Sequence, residues 1–360
     1  MAGDRLRHGC LRRRGLALKR QRAGAARGLT ALYDGSVLAA LRPVLSPTMS
    51  SFRRFALAGI IANTVIMSTG AAVRLSSSGL GCPDWPRCST ADVVASHNAG
   101  QTLLNTWIEF SNRLLNFPLV AITALVFIAA WRLTRPGALL AGRRDLLWLA
   151  AIQPLGVVAQ AVIGGIVVLT KLNPALVSVH FLLSASLVGA SVLLYARCTD
   201  FTDAGPVRPE LRVLAGVLAL VTVAMLAAGT VVTGTGPLAG HADTPRYHLP
   251  LEGVTQLHAD IGWLMGGLTV ALALGLRLSG AGPRAVRMGW IVLGGLFVQG
   301  ALGYIQYFTH LPAGLVWVHV TTAVMMWIAV LWLFFTLSNG TFIVQQQVTI
   351  PQREPETADR

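Results

Sequence analysis

Eight stretches of this chain are so long and so nearly free of charge that no water-soluble core of this size could hide them all. They fall at 54–74, 106–131, 146–170, 174–196, 213–233, 254–276, 288–308 and 314–337. A helix rises ~1.5 Å per residue and the hydrocarbon layer of a bilayer is ~30 Å thick, so each stretch can cross once. In lipid the backbone must satisfy its own hydrogen bonds, which favours helices. Only 12% of the residues are charged, against about 25% in an ordinary soluble domain. The expected fold class is an all-α integral membrane protein with eight transmembrane helices.

A net charge of +14 raises the question of nucleic acid, but the placement of the charge answers it. The connections after the second, fourth and sixth stretches carry Arg132, Arg135, Arg143, Arg144, Arg197, Arg208, Arg212, Arg277, Arg284 and Arg287. The opposite connections carry only Arg74, Arg87, Lys171 and Arg246. This asymmetry places both termini in the cytoplasm. The partner of the basic residues is the lipid bilayer, with no nucleic acid expected.

His180, His258 and His319 each lie near the start of an apolar stretch, and Asn112 holds the equivalent place in another. The next inner boundary follows at Arg132, Arg197, Arg277 and about Asn339. The four positions therefore share one depth, near the outer rim. Ionisable groups there are costly and mark function by default. A single membrane histidine is more often a helix–helix hydrogen-bonder, but three at one level point to ligands for haem iron.

Residues 160–180 align without gaps to 299–319, matching at Gln160, Gly164, Ile166, Thr170, Leu172, Leu176, Val177, Val179 and His180. Apolar segments share Leu and Val freely, but not Gln, Gly, Thr and His in register. Two duplicated four-helix bundles are expected, running in the same direction. A weaker match of the second helices sets Asn112 opposite His258. The C-terminal half thus has a complete pair, His258 with His319, suited to electron transfer. The N-terminal half has His180 facing Asn112, with Glu109 and Arg113 on the same helix face as Asn112. That face is either a reaction chamber or a plain Glu109–Arg113 ion pair.

The first outer loop runs from Gly70 through Arg74, Ser78 and Gly79 to Cys82-Pro-Asp-Trp-Pro-Arg-Cys88. On the oxidising side Cys82 and Cys88 can form a disulfide, either a loop staple or an exchangeable dithiol. Arg74 and Arg113 border the outer layer and can pair with propionates. Snorkelling to the headgroups is the alternative for Arg74. Trp85, Trp107 and Trp317 read as an aromatic belt. His97, His241, His248 and His310 read as loop residues, with His97 a minor candidate for the missing ligand.

The loop VRLSSSGLGCPDWPRC, the segment Glu109–Arg113, LNPALVSVHF at 172–181 and QLHAD at 256–260 resemble haem A synthase over roughly residues 52–337. The resemblance implies oxidation of the C8 methyl group of haem O to a formyl group by successive hydroxylations. It implies a haem b on His258 and His319, a substrate haem at His180 and Asn112, and an essential glutamate at Glu109. Two departures stand out: Asn112 replaces a histidine, and the third outer loop lacks a cysteine pair. Haem O is the expected substrate, with haem O synthase, cytochrome oxidase assembly factors and a second copy of the chain as candidate partners. The expected location is a bacterial cell membrane, with the haem sites towards the extracytoplasmic face. Two other classes stay open, a bis-histidine electron carrier and a repeat-built transporter.

The expected division is a basic leader at 1–48, an N-terminal half at 49–197, a cytoplasmic linker at 198–212, a C-terminal half at 213–337 and a tail at 338–360. The leader reads as disordered or as preceding the true start at Met49, and the polar tail as disordered.

Overall fold

A computed structural model describes Val44, residues 46–89, Val94 and residues 102–348, with side chains as far as Ser338. The leader almost to its end, His97 and the last residues of the tail lie outside the described residues. Among the described residues the regular structure is helical throughout. The helices are α1 (Met49–Leu75), α2 (Leu103–Leu114), α3 (Asn116–Thr134), α4 (Arg144–Leu169), α5 (Pro174–Arg197), α6 (Pro209–Thr235), α7 (Leu251–Leu278), α8 (Pro283–Phe308) and α9 (Ala313–Val348). They make eight segments long and apolar enough to cross a membrane, α2 and α3 together forming the second. The break at Leu115 has a local cause, since Pro118 has no N–H to give to the carbonyl of Leu114.

Local sequence sets the ends. Thr48 caps α1 through a reciprocal pair, Ser51 N to Thr48 Oγ1 at 3.2 Å and Thr48 N to Ser51 Oγ at 2.8 Å. Asn173 caps α5, and Pro174 begins it. The turns before α5 and α9 are the same turn twice. Lys171 and Leu172 have φ of 54° and 59°, and His310 and Leu311 have 62° and 59°. Leu172 N donates to Val167 O, as Leu311 N does to Gln306 O. The 338 boundary expected for the tail falls inside α9, which continues to Val348. The first proline beyond that point is Pro351.

Helices α1, α3, α4 and α5 pack in a ring, and α6, α7, α8 and α9 pack in another. The rings meet where α1 touches α9, α5 touches α6, and α5 touches α9. Exchanging the two rings leaves this pattern of neighbours unchanged. The seam carries hydrogen bonds as well as apolar packing. Ser68 Oγ and Thr321 Oγ1 lie 2.8 Å apart, and Trp317 Nε1 donates to Ser68 O at 3.0 Å. Trp327 Nε1 donates to Ala185 O at 2.9 Å.

The apolar packing is uneven along the helix axes, and that positions the site. Phe52, Val126, Leu146 and Leu194 fill one ring at the end away from the histidines. Leu218, Leu272, Val292 and Leu333 fill the other at the same end. There the connection between rings is pinned: Arg53 donates to Cys198 O, and Arg284 to Asp200 O and Asp203 Oδ1. At the histidine end the rings hold a cavity of about 2170 Å³. Leu155 and Leu220 lie outside, more than two-thirds exposed, as residues facing lipid would.

Candidate functional site

His258 on α7 and His319 on α9 face each other, ring centroids 6.5 Å apart and planes at 67°. Two imidazoles on one metal, with bonds of about 2 Å, put their centroids roughly 6 Å apart. Among the described residues no group of three or more His, Cys, Asp or Glu side chains could hold a bare metal ion. Two facing imidazoles in an apolar cavity suit a metal whose other ligands come from a macrocycle, so the residues fit haem. His258 Nδ1 is buried without a hydrogen-bond partner.

The third helix of each ring supports the histidine of the fourth. Gln299 Nε2 donates to His319 O at 2.9 Å, and Gln160 Nε2 donates to His180 O at 3.0 Å. A Cβ on Gly303 would meet the His319 ring at 3.4 Å, and one on Gly164 would meet His180 at 3.3 Å. The repeat presented Gln160 and Gln299 as identical positions without a role; their role is to fix these histidines. The halves differ in the rest of the contact. Thr322 Oγ1 donates to Gln299 Oε1 at 2.5 Å, whereas Gln160 Oε1 is buried without a donor.

His180, Asn112, Arg74, Glu109 and Arg113 line the same cavity as the histidine pair. Asn112 is held from α1, its Oδ1 accepting from Thr69 Oγ1 at 2.7 Å. Arg74 reaches across the seam to Thr233 O at 3.0 Å, and its Nε is buried without an acceptor. The Glu109–Arg113 ion pair foreseen as the plain alternative is present at 2.6 Å. It also does more than pair. Glu109 Oε2 accepts from Cys82 N at 2.8 Å. Arg113 donates to Glu109 through Nε and Nη2, and to the carbonyls of Cys82, Asp84 and Arg87. All five guanidinium donors are thus engaged.

The loop held in this way is closed by the Cys82–Cys88 disulfide, with Cα atoms 4.4 Å apart. It also reaches the other ring, Gly79 N donating to Gly240 O at 3.2 Å. Trp85 lies against Gly165 on α4, a contact with no signal in the sequence beyond the glycine itself. Trp317, expected in an aromatic belt, spends its N–H on the seam. His241 sits 3.8 Å from Asp243 in a loop, and neither His241, His248 nor His310 lines the cavity.

The sequence model of the cytochrome oxidase assembly protein family matches residues 53–331, most of the chain. The chain belongs to this family. The haem A synthase resemblance seen in the motifs agrees with named relatives. A protein named heme A synthase from Halalkalibacterium halodurans is 29% identical over 157 residues, 43% of this chain and 48% of the relative. One from Lysinibacillus sphaericus is 30% identical over 138 residues, 37% of this chain and 41% of the relative. One from Geobacillus kaustophilus is 30% identical over 140 residues, 38% and 39%. The chain spans about half the length, or less, of the curated relatives it matches. Family and helices together make it a multi-pass membrane protein.

Proposed function

We propose that the chain is a haem A synthase, oxidising the C8 methyl group of haem O to a formyl group by successive hydroxylations. The observation that carries this reading is the pair of unlike sites in one cavity. His258 faces His319 in one half, and His180 stands with Asn112, Arg74 and Glu109 in the other. His258 and His319 would hold a resident haem b, which supplies one-electron chemistry. With both imidazoles committed, that half offers substrate no open position.

The N-terminal half takes haem O as substrate, through His180. Asn112 is a poor ligand beside imidazole but a good hydrogen-bond partner for water or oxygen. Arg74 suits a propionate, having a buried Nε still to satisfy. Arg113 serves the site by holding Glu109 and the first loop in place. Glu109 can carry a proton or offset positive charge near the reacting methyl group.

The neighbour pattern of the rings and the matched Gln–His contacts support duplicated bundles running in one direction. On this reading both termini are cytoplasmic, and the haem sites lie towards the extracytoplasmic face of a bacterial cell membrane. Haem O synthase, cytochrome oxidase assembly factors and a second copy of the chain are the proposed protein partners. The clamp of Glu109 on the loop favours one other reading, a bis-histidine haem b carrier with no activity. Pigment extracted from the purified full-length protein separates them. Haem A or its hydroxylated precursor is expected, and haem b alone would leave the carrier.

A further inference from the structure

The two halves close their outer ends by different means, and one position accounts for the difference. Gly165 in α4 corresponds to Tyr304 in α8 at the register of the repeat. Tyr304 carries its own ring at the exposed edge of the cavity in the C-terminal half, where its hydroxyl accepts from Trp263 Nε1 of α7 at 3.2 Å. That contact ties the second helix of the half to the third. The N-terminal half has no side chain at the equivalent place. Trp85 of the first loop occupies it, so closely that a Cβ on Gly165 would lie 2.4 Å from the indole.

The loop that brings Trp85 there is fastened to the second helix. Arg113 of α2 grips the carbonyls of Asp84 and Arg87 on either side of Trp85, at 2.8 and 3.1 Å. Trp85 and Gly165 both line the cavity. Gly164, the adjacent residue, packs against the His180 ring. His180 and Trp85 therefore lie against one turn of α4. In each half an aromatic residue bridges the second and third helices. It belongs to a helix in one half and to a loop in the other.

We propose that Trp85 is the movable wall of the substrate site, and that a lipid-dissolved porphyrin enters and leaves past it between α2 and α4. Tyr304, built into its helix, keeps the resident group of the C-terminal half in place. Trp85 is a positioning residue here, and Gly165 gives it its seat. The backbone of a helix residue moves only with its helix, whereas that of a loop residue moves when a few hydrogen bonds open. This inference rests on the N-terminal half being the substrate site.

The test is exchange, not turnover. Full-length protein carrying haem is mixed with excess apomyoglobin, and haem transfer is followed by absorbance. Two phases are expected, the faster one lost in His180→Ala. Gly165→Ala, which pushes the indole out, and Trp85→Ala should each speed the faster phase roughly three- to tenfold, the worth of one aromatic contact. Trp85→Phe, which keeps a ring on the loop, should stay near the wild-type rate. Tyr304→Gly should speed the slower phase instead. If Gly165→Ala and Trp85→Ala leave a His180-dependent phase unchanged, the movable wall is wrong while the substrate site stands. If no phase depends on His180, the substrate site itself is wrong and the inference goes with it.

Discussion

Glu109 and Arg113 meet one helical turn apart on α2, and between them they bind the loop between α1 and α2 at four of its backbone groups. Breaking a buried ion pair by removing one member costs roughly 3–5 kcal/mol. Arg113→Ala should therefore lower the stability of the folded protein and free the loop. Thiol labelling after mild reductant should reach Cys82 and Cys88 sooner than in wild type. Unchanged labelling kinetics would mean that the disulfide ring holds its place without the guanidinium.

Glu109→Gln keeps the shape of the side chain and can still accept from Cys82 N, but the charge opposite Arg113 is lost. Turnover of haem O should stop while haem O remains bound, as read by pigment analysis of the variant. Normal haem A production would leave Glu109 with the structural role alone.

The histidine pair predicts a spectrum. His258→Ala or His319→Ala should remove the low-spin haem signal, with the protein still inserted, because each ring supplies one of two facing nitrogens. An unchanged signal in both variants would assign the haem elsewhere.

How much of this was readable from the chain depends on whether a feature follows a period or a contact. Eight helices follow from uncharged length, and the depth of His180, His258 and His319 follows from counting residues along each helix. The repeat made Gln160 and Gln299 stand out, yet their bonds to the histidine carbonyls depend on how α4 packs on α5 and α8 on α9. Glu109 was readable as one member of an ion pair through its four-residue spacing from Arg113. Its hold on Cys82 was not, since the loop returns from 27 positions earlier in the chain. Trp85 could be assigned to a membrane-level belt by position, but only folding sets it against Gly165.

Cys198 gives a pH test at the other end of the molecule. It is buried, and burial pushes its thiol up to about 11 from an ordinary 9.0. A thiol raised in the folded state stays neutral at pH 8, so maleimide should label it slowly in the folded protein and quickly once unfolded. The unfolded chain ionises first, so the contribution to stability is full below about 9 and falls as pH rises towards 11. Fast labelling of the folded protein at pH 8 would contradict the packing of the inter-ring connection.

Asn112→His restores to the N-terminal half the residue that α7 has as His258, and the surroundings of Asn112 decide what should follow. In the C-terminal half, a Cβ on Gly229 of α6 would meet the His258 ring at 3.2 Å. In the N-terminal half Gly70 of α1 lines the cavity with nothing within 4 Å of its Cβ position. A second imidazole therefore has room, and the substitution sacrifices one hydrogen bond, from Thr69 to Asn112 Oδ1. That bond is worth about 1 kcal/mol, less than a new bond to iron provides. The variant should hold its N-terminal haem as low-spin and six-coordinate, retain it longer, and turn over less. Electron paramagnetic resonance of the purified protein checks the first point and pigment analysis the last. A wild-type N-terminal haem already low-spin through two imidazoles would defeat the open-position reading, and would turn attention to His97 as the second ligand.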